Sequence, residues 1–591
     1  MDNTIIEHLA CTEINECILQ PPFHLISNVQ WNDKGLSFDG DISVYSKEIK
    51  KEDFIGFVPI QIKGTTTHKK ISKRNKVKHS LSKKDIEVYY KHGKGVLYFV
   101  VTINPNTYKR QAYYRILAPL DLKDLLIKLK ASGNDSITIS FNKLEKGLLE
   151  SICKQFLRIV EKQPKVYIET NINKKFDEYR IDYANIGEKS FDFFKEPAYL
   201  YGVDHGIEIP LQVTKLQEIR GVINENIYVE DEIINIKYET RESEDKIFLI
   251  FEDTLIIEFE KETSKGKIVL SPVERIGSYL KCLKVLKFIR DYNKVPLASF
   301  EFEATLDYKE NYKTLEEDIE LYEDIIEIFN QIGIDENYIL DNNENISKLF
   351  NGLLELFKYK NYEILTNAEK IDLNETPIIP IKLSEYMRVI VFYNKKTNEF
   401  IDFFSEETLN NASGLLLKSN KSKGEDIEND YWKVSLYSGI KLEELQEYAN
   451  FKLDIIKESF TSKHHDVNSE NTINVALEYL NYFDRENDGR YLEISDDLIS
   501  RFLLMNPNDI FAQINKLQIN LRKYGKLSEK ETDEVLDILE QAEIDKDRSI
   551  CFACEVLLGN KHKARRLFDS LDDIEQNSLK PFPIYSLFER L

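Results

Sequence analysis

The residues with the clearest chemistry lie on two short stretches near the start of the chain. Asp39 stands in GLSFDGDISVY, and Gln61 and Lys63 stand in IGFVPIQIKGTTT. Asp39 opens one apolar run, and Gln61 and Lys63 lie near the end of another. A strand has a period of two, so Gln61 and Lys63 project from one face while Ile60 and Ile62 project from the other. Two polar side chains on one face of an apolar strand are costly unless they form a site. A carboxylate and an amide oxygen can hold a hard divalent cation, with water and phosphate completing its shell. An adjacent Lys can hold the attacking water or a phosphate. Such a set suits phosphodiester hydrolysis, where one or two cations activate water, neutralise developing charge and stabilise the leaving oxygen.

For these residues to meet, the Asp and Gln-x-Lys strands must form a hairpin. The pattern around them supports it. Residues 1–20 read as a helix, and 23–31, 40–46 and 55–63 as strands. Ser82-x-x-Asp85 predicts the start of a helix that runs to about His92 and ends at Gly93. Residues 95–104 (GVLYFVVTIN) are an apolar run of buried-strand length. AYYRILAPL at 112–120 is a further strand, and LDLKDLLIKL a closing helix. The expected order is α-β-β-β-α-β-β-α.

An Asp followed by Gln-x-Lys on adjacent strands of such a core resembles the PD-(D/E)xK, or restriction-endonuclease-like, nucleases. Residues 7–120 resemble the DUF4365 family within them. The residues concerned are Glu7-His-Leu-Ala, Phe38-Asp39-Gly40-Asp41-Ile42, Ile60-Gln61-Ile62-Lys63-Gly64, and a Tyr-rich helix followed by the strand Gly95–Asn104. The resemblance covers about a fifth of the chain. It implies a nuclease using Mg²⁺ or Mn²⁺ that acts on DNA, in bacteria often within restriction or anti-phage systems. Gln61 stands where many members have Glu, so its ligand would be uncharged.

Many such nucleases add a Glu from the first helix. At about 100° per residue, Glu7 falls in phase with Ala10, Cys11, Ile14 and Ile18, whereas Glu13 and Glu16 fall towards solvent. Glu7 is the expected fourth catalytic residue and metal ligand; the bland alternative is a first-turn acid favoured by the helix dipole. Asp41 shares the face of Asp39 and is an alternate or supporting ligand, or else a strand-edge acid. Directly after the Lys63 strand, residues 68–79 (HKKISKRNKVKH) hold Lys69, Lys70, Lys73, Arg74, Lys76 and Lys78 with no acid. They are the expected nucleic-acid contacts, which would grip phosphates without reading bases; the alternative is a solvated loop.

Composition sets the wider frame. The chain has 591 residues, too many for one core. The net charge is −22, but residues 1–130 hold 21 Lys and Arg against 14 Asp and Glu, so the basic charge is concentrated at the proposed site. The expected fold class is multidomain α+β. An α/β restriction-endonuclease-like core (1–132) is followed by a strand-rich α+β module (133–305) and a mixed helical and strand module (306–460). A helical, tetratricopeptide-like array (470–591) follows. Polar stretches at 408–430 and 460–471, the latter with His464-His465-Asp466, read as linkers.

The six cysteines are too scattered for a disulfide framework, and Cys551 and Cys554 read as buried helix core. No apolar run reaches membrane-spanning length, and the acidic N-terminus does not suit a signal peptide. The expectation is a soluble, cytoplasmic protein without membrane contact. DNA is its partner, with proteins bound through the helical array and a homodimer or higher oligomer favoured if duplexes are cut. A weakly active or inactive nucleic-acid-binding sensor, and an RNA-directed nuclease, are the competing readings.

Overall fold

The computed structural model describes residues 1–30, 37–66, 75–169, 175–184, 191–263, 265–299, 302–306, 314–365, 377–418, 430–467 and 471–591. It is mixed α/β, with several sheets and a C-terminal helical region. Two compact units emerge. One holds residues 1–223, 239–249 and 257–267, and the other holds 224–238, 250–256 and 268–591.

The first unit is built on a seven-stranded sheet. Its strands are β1 (Leu25–Val29), β2 (Gly40–Tyr45), β3 (Phe54–Thr65), β4 (Lys76–Ser82), β5 (Val96–Ile103), β6 (Arg110–Leu117) and β7 (Ser136–Lys143), ordered β1-β2-β3-β5-β6-β7-β4. β2 and β3 form the expected antiparallel hairpin, with Gly40 opposite Ile60. β3 runs parallel to β5, with Gln61 opposite Tyr98 and Lys63 opposite Val100. Every residue of β5 is buried, as its unbroken apolar run requires for a strand covered on both faces.

Helix α1 (Asn3–Ile18) and α4 (Leu149–Glu161) cover the face that carries Ile60 and Ile62. Helix α2 (Lys83–His92) and α3 (Pro119–Ser132) help enclose the other, around Tyr98, Val100 and Tyr113. Ser82 caps α2 as its sequence predicts, its hydroxyl accepting from Asp85 N, and Gly93 ends it in a left-handed conformation. Full burial of each large apolar side chain in these layers contributes about 1.5–3 kcal/mol.

Two expectations about this unit need correction. The sheet does not close at residue 132, because β7 lies beyond α3 and pairs with both β4 and β6. The basic stretch 68–79 is not one loop. Its latter part is strand β4, with Val77 and Leu81 buried and Lys76 and Lys78 exposed. β4 turns its inner face back over β5, so that His79 and Tyr98 ring centres lie 6.3 Å apart.

Three further strands, β8 (Glu178–Tyr183), β9 (Ala198–Asp204) and β10 (Ile207–Thr214), form an antiparallel sheet. Within the stretch expected to be strand-rich, Lys165–Glu169 is a short helix. Pro164 precedes it, a residue suited to a helix start. A five-stranded sheet over residues 218–270 is ordered as its strands occur in the chain.

In the second unit, the helices Ile276–Tyr292 and Leu315–Ile332 precede a three-stranded sheet, Ile378–Lys382, Arg388–Asn394 and Glu399–Asp402. From Thr472 onward the described elements are helices, among them Thr472–Glu486, Ile510–Tyr524, Glu529–Asp545 and Arg548–Leu557. Cys551 and Cys554 are buried there, as expected. The stretch 460–467 is not a free linker. His464 and His465 are buried, and His465 Nδ1 accepts from Ser435 N at 3.1 Å. No described helix is long and apolar enough to cross a membrane.

Candidate functional site

The β2–β3 hairpin brings Asp39 and Gln61 into direct contact. Asp39 N donates to Ile60 O at 3.0 Å, and Gln30 N donates to Asp39 O at 2.9 Å. The backbone before Asp39's carboxylate is thus tied to both neighbouring strands. Gly40 follows with φ +122°, and a Cβ there would lie 2.2 Å from Asn28 O. Only glycine lets the chain enter β2 at this angle while pairing with β1.

The Asp39 carboxylate is half-buried. Its Oδ2 accepts from Gln61 Nε2 at 2.5 Å and from Ile62 N at 2.7 Å. Burial raises its pKa above the ordinary carboxylate range. The Ile62 hydrogen bond and the Lys63 charge oppose that rise, Glu7 adds to it, and the Gln61 bond opposes it. Gln61 is only 3% exposed. Its Oε1 accepts from the Tyr89 hydroxyl at 3.2 Å. Tyr89, from α2, is buried against Phe38 and Tyr98, with ring centres 5.2 and 6.4 Å away. The structure therefore turns the amide nitrogen of Gln61, not its oxygen, towards Asp39.

Lys63 shares the strand face of Gln61 but reaches solvent. Among the described residues it has no hydrogen bond or ion pair, yet it acts on the charges of Asp39 and Cys11. Gly64 explains how α1 comes so close. A Cβ on Gly64 would lie 2.5 Å from Ile6 Cγ2 and 2.8 Å from Ile6 O, so the helix backbone rests against the strand just past Lys63.

Glu7 follows Ile6. The stripe expected on α1 is present in Ala10, Cys11, Ile14 and Ile18, all buried, but Glu7 itself is exposed. It also lies beyond the helix's first turn, which holds no acid, so the helix-dipole alternative does not describe it. Glu13 and Glu16 are engaged by Arg110, at 3.1 and 2.8 Å. Glu7 has no such partner among the described residues, and its charge is felt by Asp39 and Cys11. Cys11, one turn further on, has its thiol pushed up to about 11 by burial and by the Asp39 and Glu7 charges.

Asp41 lies on the Asp39 face, where its Oδ1 accepts from Asn28 Nδ2 at 2.7 Å. This bond ties it to β1. Of the expected phosphate contacts, Lys69, Lys70, Lys73 and Arg74 lie outside the described residues. Lys76 pairs with Glu196 at 2.6 Å, and Lys78 is exposed on β4. These two stand on the outer side of β4, facing away from Tyr98, rather than on a loop beside Lys63.

Sequence reasoning gave Tyr89, on the Tyr-rich helix, no part in the site. It also missed Asn28 and the close approach at Gly64. Ile-Lys-Gly at the end of an apolar strand was the available signal for the last.

Among the described residues, no group of three or more His, Cys, Asp or Glu is placed to hold a metal ion. The donors near Asp39 are of another composition: the two carboxylates of Asp39 and Glu7, and one amide. This set fits a Mg²⁺-type ion, which commonly takes one or two protein carboxylates and keeps several waters. Asp39 Oδ1 and the Glu7 carboxylate are uncommitted among the described residues, whereas Asp39 Oδ2 is occupied. No family model, curated protein or solved structure matches the chain.

Proposed function

We propose that the first unit is a metal-dependent endonuclease with a PD-(D/E)xK, restriction-endonuclease-like core, cleaving DNA with Mg²⁺ or Mn²⁺. One observation carries this reading. A Lys63 ammonium and a Glu7 carboxylate that have no ion-pair partner among the described residues stand within electrostatic reach of Asp39, whose carboxyl burial already disfavours as an anion. A divalent ion bound there would supply positive charge that stabilises an anionic Asp39 and lowers the pKa of a bound water. Asp39 and Glu7 would hold the ion, Gln61 would contribute its amide oxygen, and Lys63 would orient water or phosphate.

The C-terminal helices contain a groove of about 1010 Å³ lined by residues that include Asn474, Phe511, Asn515 and Arg548. Helical arrays of this kind offer concave surfaces to protein partners, and a one-site chain that cuts duplexes favours a dimer. A role in anti-phage defence rests on the family resemblance alone.

Incubation of supercoiled plasmid with the full chain and Mg²⁺ tests the activity. Wild type should nick or linearise it, and Lys63→Ala should lose about 100-fold or more while keeping its stability within roughly 0.5 kcal/mol. Absence of cleavage by wild type on plasmid, single-stranded DNA and tRNA, with either metal, would overturn the reading. It would favour the non-catalytic alternative, to which the Gln61–Asp39 hydrogen bond lends some support. Cleavage of tRNA alone would assign the activity to RNA.

A further inference from the structure

The Gln61 amide shows one group to Asp39 and the other to Tyr89, and only one of the two can bind a cation. Nε2 is a donor without a lone pair for a metal, and it bonds Asp39 Oδ2. Oε1, the atom able to ligate, is turned away to the Tyr89 hydroxyl. Gln61 and Tyr89 are 3% and 1% exposed, so water is poorly placed to replace either partner.

We infer that the metal-free site is latched: a cation is admitted only when the Gln61 amide turns end for end, with Tyr89 reversing from donor to acceptor. This inference rests on the metal-site reading above and adds a positioning residue, Tyr89, to it. The turn carries Oε1 to the ion and frees Asp39 Oδ2 from Nε2. It also swings Nε2 towards Tyr89, whose hydroxyl oxygen can accept a hydrogen bond from it. A phenol suits this exchange because it can play both hydrogen-bonding roles. The hydroxyl stays in place, held by a ring packed on Phe38 and Tyr98.

Phenylalanine at position 89 can play neither role. In the latched state the loss leaves a carbonyl oxygen short of a donor. In the turned state it leaves a buried N–H without an acceptor, the less tolerated of the two defects. Tyr89→Phe should therefore favour the latched state and weaken cation binding. Gln61→Glu removes the N–H altogether. A carboxylate presents oxygen to the ion in either orientation, so the hydroxyl should then matter little.

A double-mutant cycle on the full chain, read by calorimetric titration with Mn²⁺ alone, tests this. Tyr89→Phe should weaken Mn²⁺ binding about 3- to 10-fold when position 61 is Gln, and less than about 2-fold when it is Glu. Gln61→Glu alone should bind more tightly than wild type. Equal weakening in both backgrounds would make Tyr89 a purely structural residue, and no effect in either would remove it from the site; both results overturn the latch while leaving the metal site standing. Failure of both wild type and Gln61→Glu to bind Mn²⁺ would overturn the metal-site reading and the latch with it.

Discussion

Replacing Gly64 by Ala tests whether the fold places α1 against the site. A Cβ at this position would lie 2.5 Å from Ile6 Cγ2 and 2.8 Å from Ile6 O. Ordinary contacts lie near 3.5 Å or beyond, so something must move by roughly 0.5–1 Å. The Ile6 side chain can rotate, but its carbonyl oxygen belongs to the helix backbone. Helix α1 must therefore retreat from β3, and Glu7 with it. Overpacking of this size costs about 1–3 kcal/mol. As tenfold corresponds to about 1.4 kcal/mol, amide exchange in α1 should quicken roughly 5- to 100-fold. On the proposed function, displacement of Glu7 by about 1 Å would lower catalysis about 100-fold. Hydrogen exchange read by mass spectrometry on the full chain provides the measurement, with the C-terminal helices as an internal reference. A second substitution, Ile6→Ala, should restore only part of the protection, because it removes Cγ2 but not the backbone oxygen. Unchanged exchange in α1 of Gly64→Ala would refute the reasoning, since the helix would then have no close contact to lose. Lost activity with unchanged α1 protection would place the effect elsewhere than in this contact.

The remaining predictions concern charge. Asp39 has its folded-state pKa raised, chiefly by burial. Its contribution to stability is therefore fullest below the unfolded carboxylate value and declines as pH rises through the folded one. Asp39→Asn keeps an oxygen to accept from Gln61 and Ile62 but carries no charge. It should be more stable than wild type at pH 7, with the advantage shrinking towards pH 4; a variant less stable at pH 7 than at pH 4, relative to wild type, would contradict this. His465 has its pKa lowered to about 4 by burial and by the Arg501 charge, against Asp466. Its neutral ring is what the fold requires, so the contribution is complete above about pH 6.5 and is lost as pH falls towards 4, by up to roughly 3 kcal/mol. Urea unfolding followed by Trp432 fluorescence in a Trp31→Phe chain should show this dependence, and His465→Gln should remove most of it; an equal acid loss in both chains would show that His465 is not its source.

Much of the site's frame was legible because it depends on neighbours in sequence. Period two placed Gln61 and Lys63 on one face, and a 22-residue separation allowed Asp39 to return opposite on a hairpin. The Ser82 cap and the Gly93 stop are local devices and were read correctly. Strand β4 was not. In KVKHSLS the alternation of Val77, His79 and Leu81 with Lys76, Lys78 and Ser80 is a strand pattern, but its three outward polar groups, two of them Lys, made it look like solvated loop. What makes it a strand is β7, about 60 residues downstream, and that partner also carried the sheet beyond the expected boundary at 132. The helical wheel likewise identified the buried stripe of α1, but phase alone did not show that Glu7, at the N-terminal end of that stripe, is exposed.

Position 61 shows the limit most sharply. A Glu there would have only acceptors to offer, and its role beside a cation would follow from its type. A Gln has a donor and an acceptor at the same reach, so its type leaves open which end faces Asp39. The choice is made by two groups brought from elsewhere in the chain. Asp39, unpaired with any cation in the described residues, draws the amide nitrogen; Tyr89, 28 residues further on, satisfies the oxygen left behind. Neither preference is strong enough to be irreversible, because each is one hydrogen bond of modest net strength. A divalent ion bound there would reverse the sign of the charge that the amide faces, and the same physics that turns nitrogen towards a lone carboxylate would then turn oxygen towards the ion. The departure from Glu that weakens the resemblance is thus also what would make the site's ligand set depend on whether the metal is there.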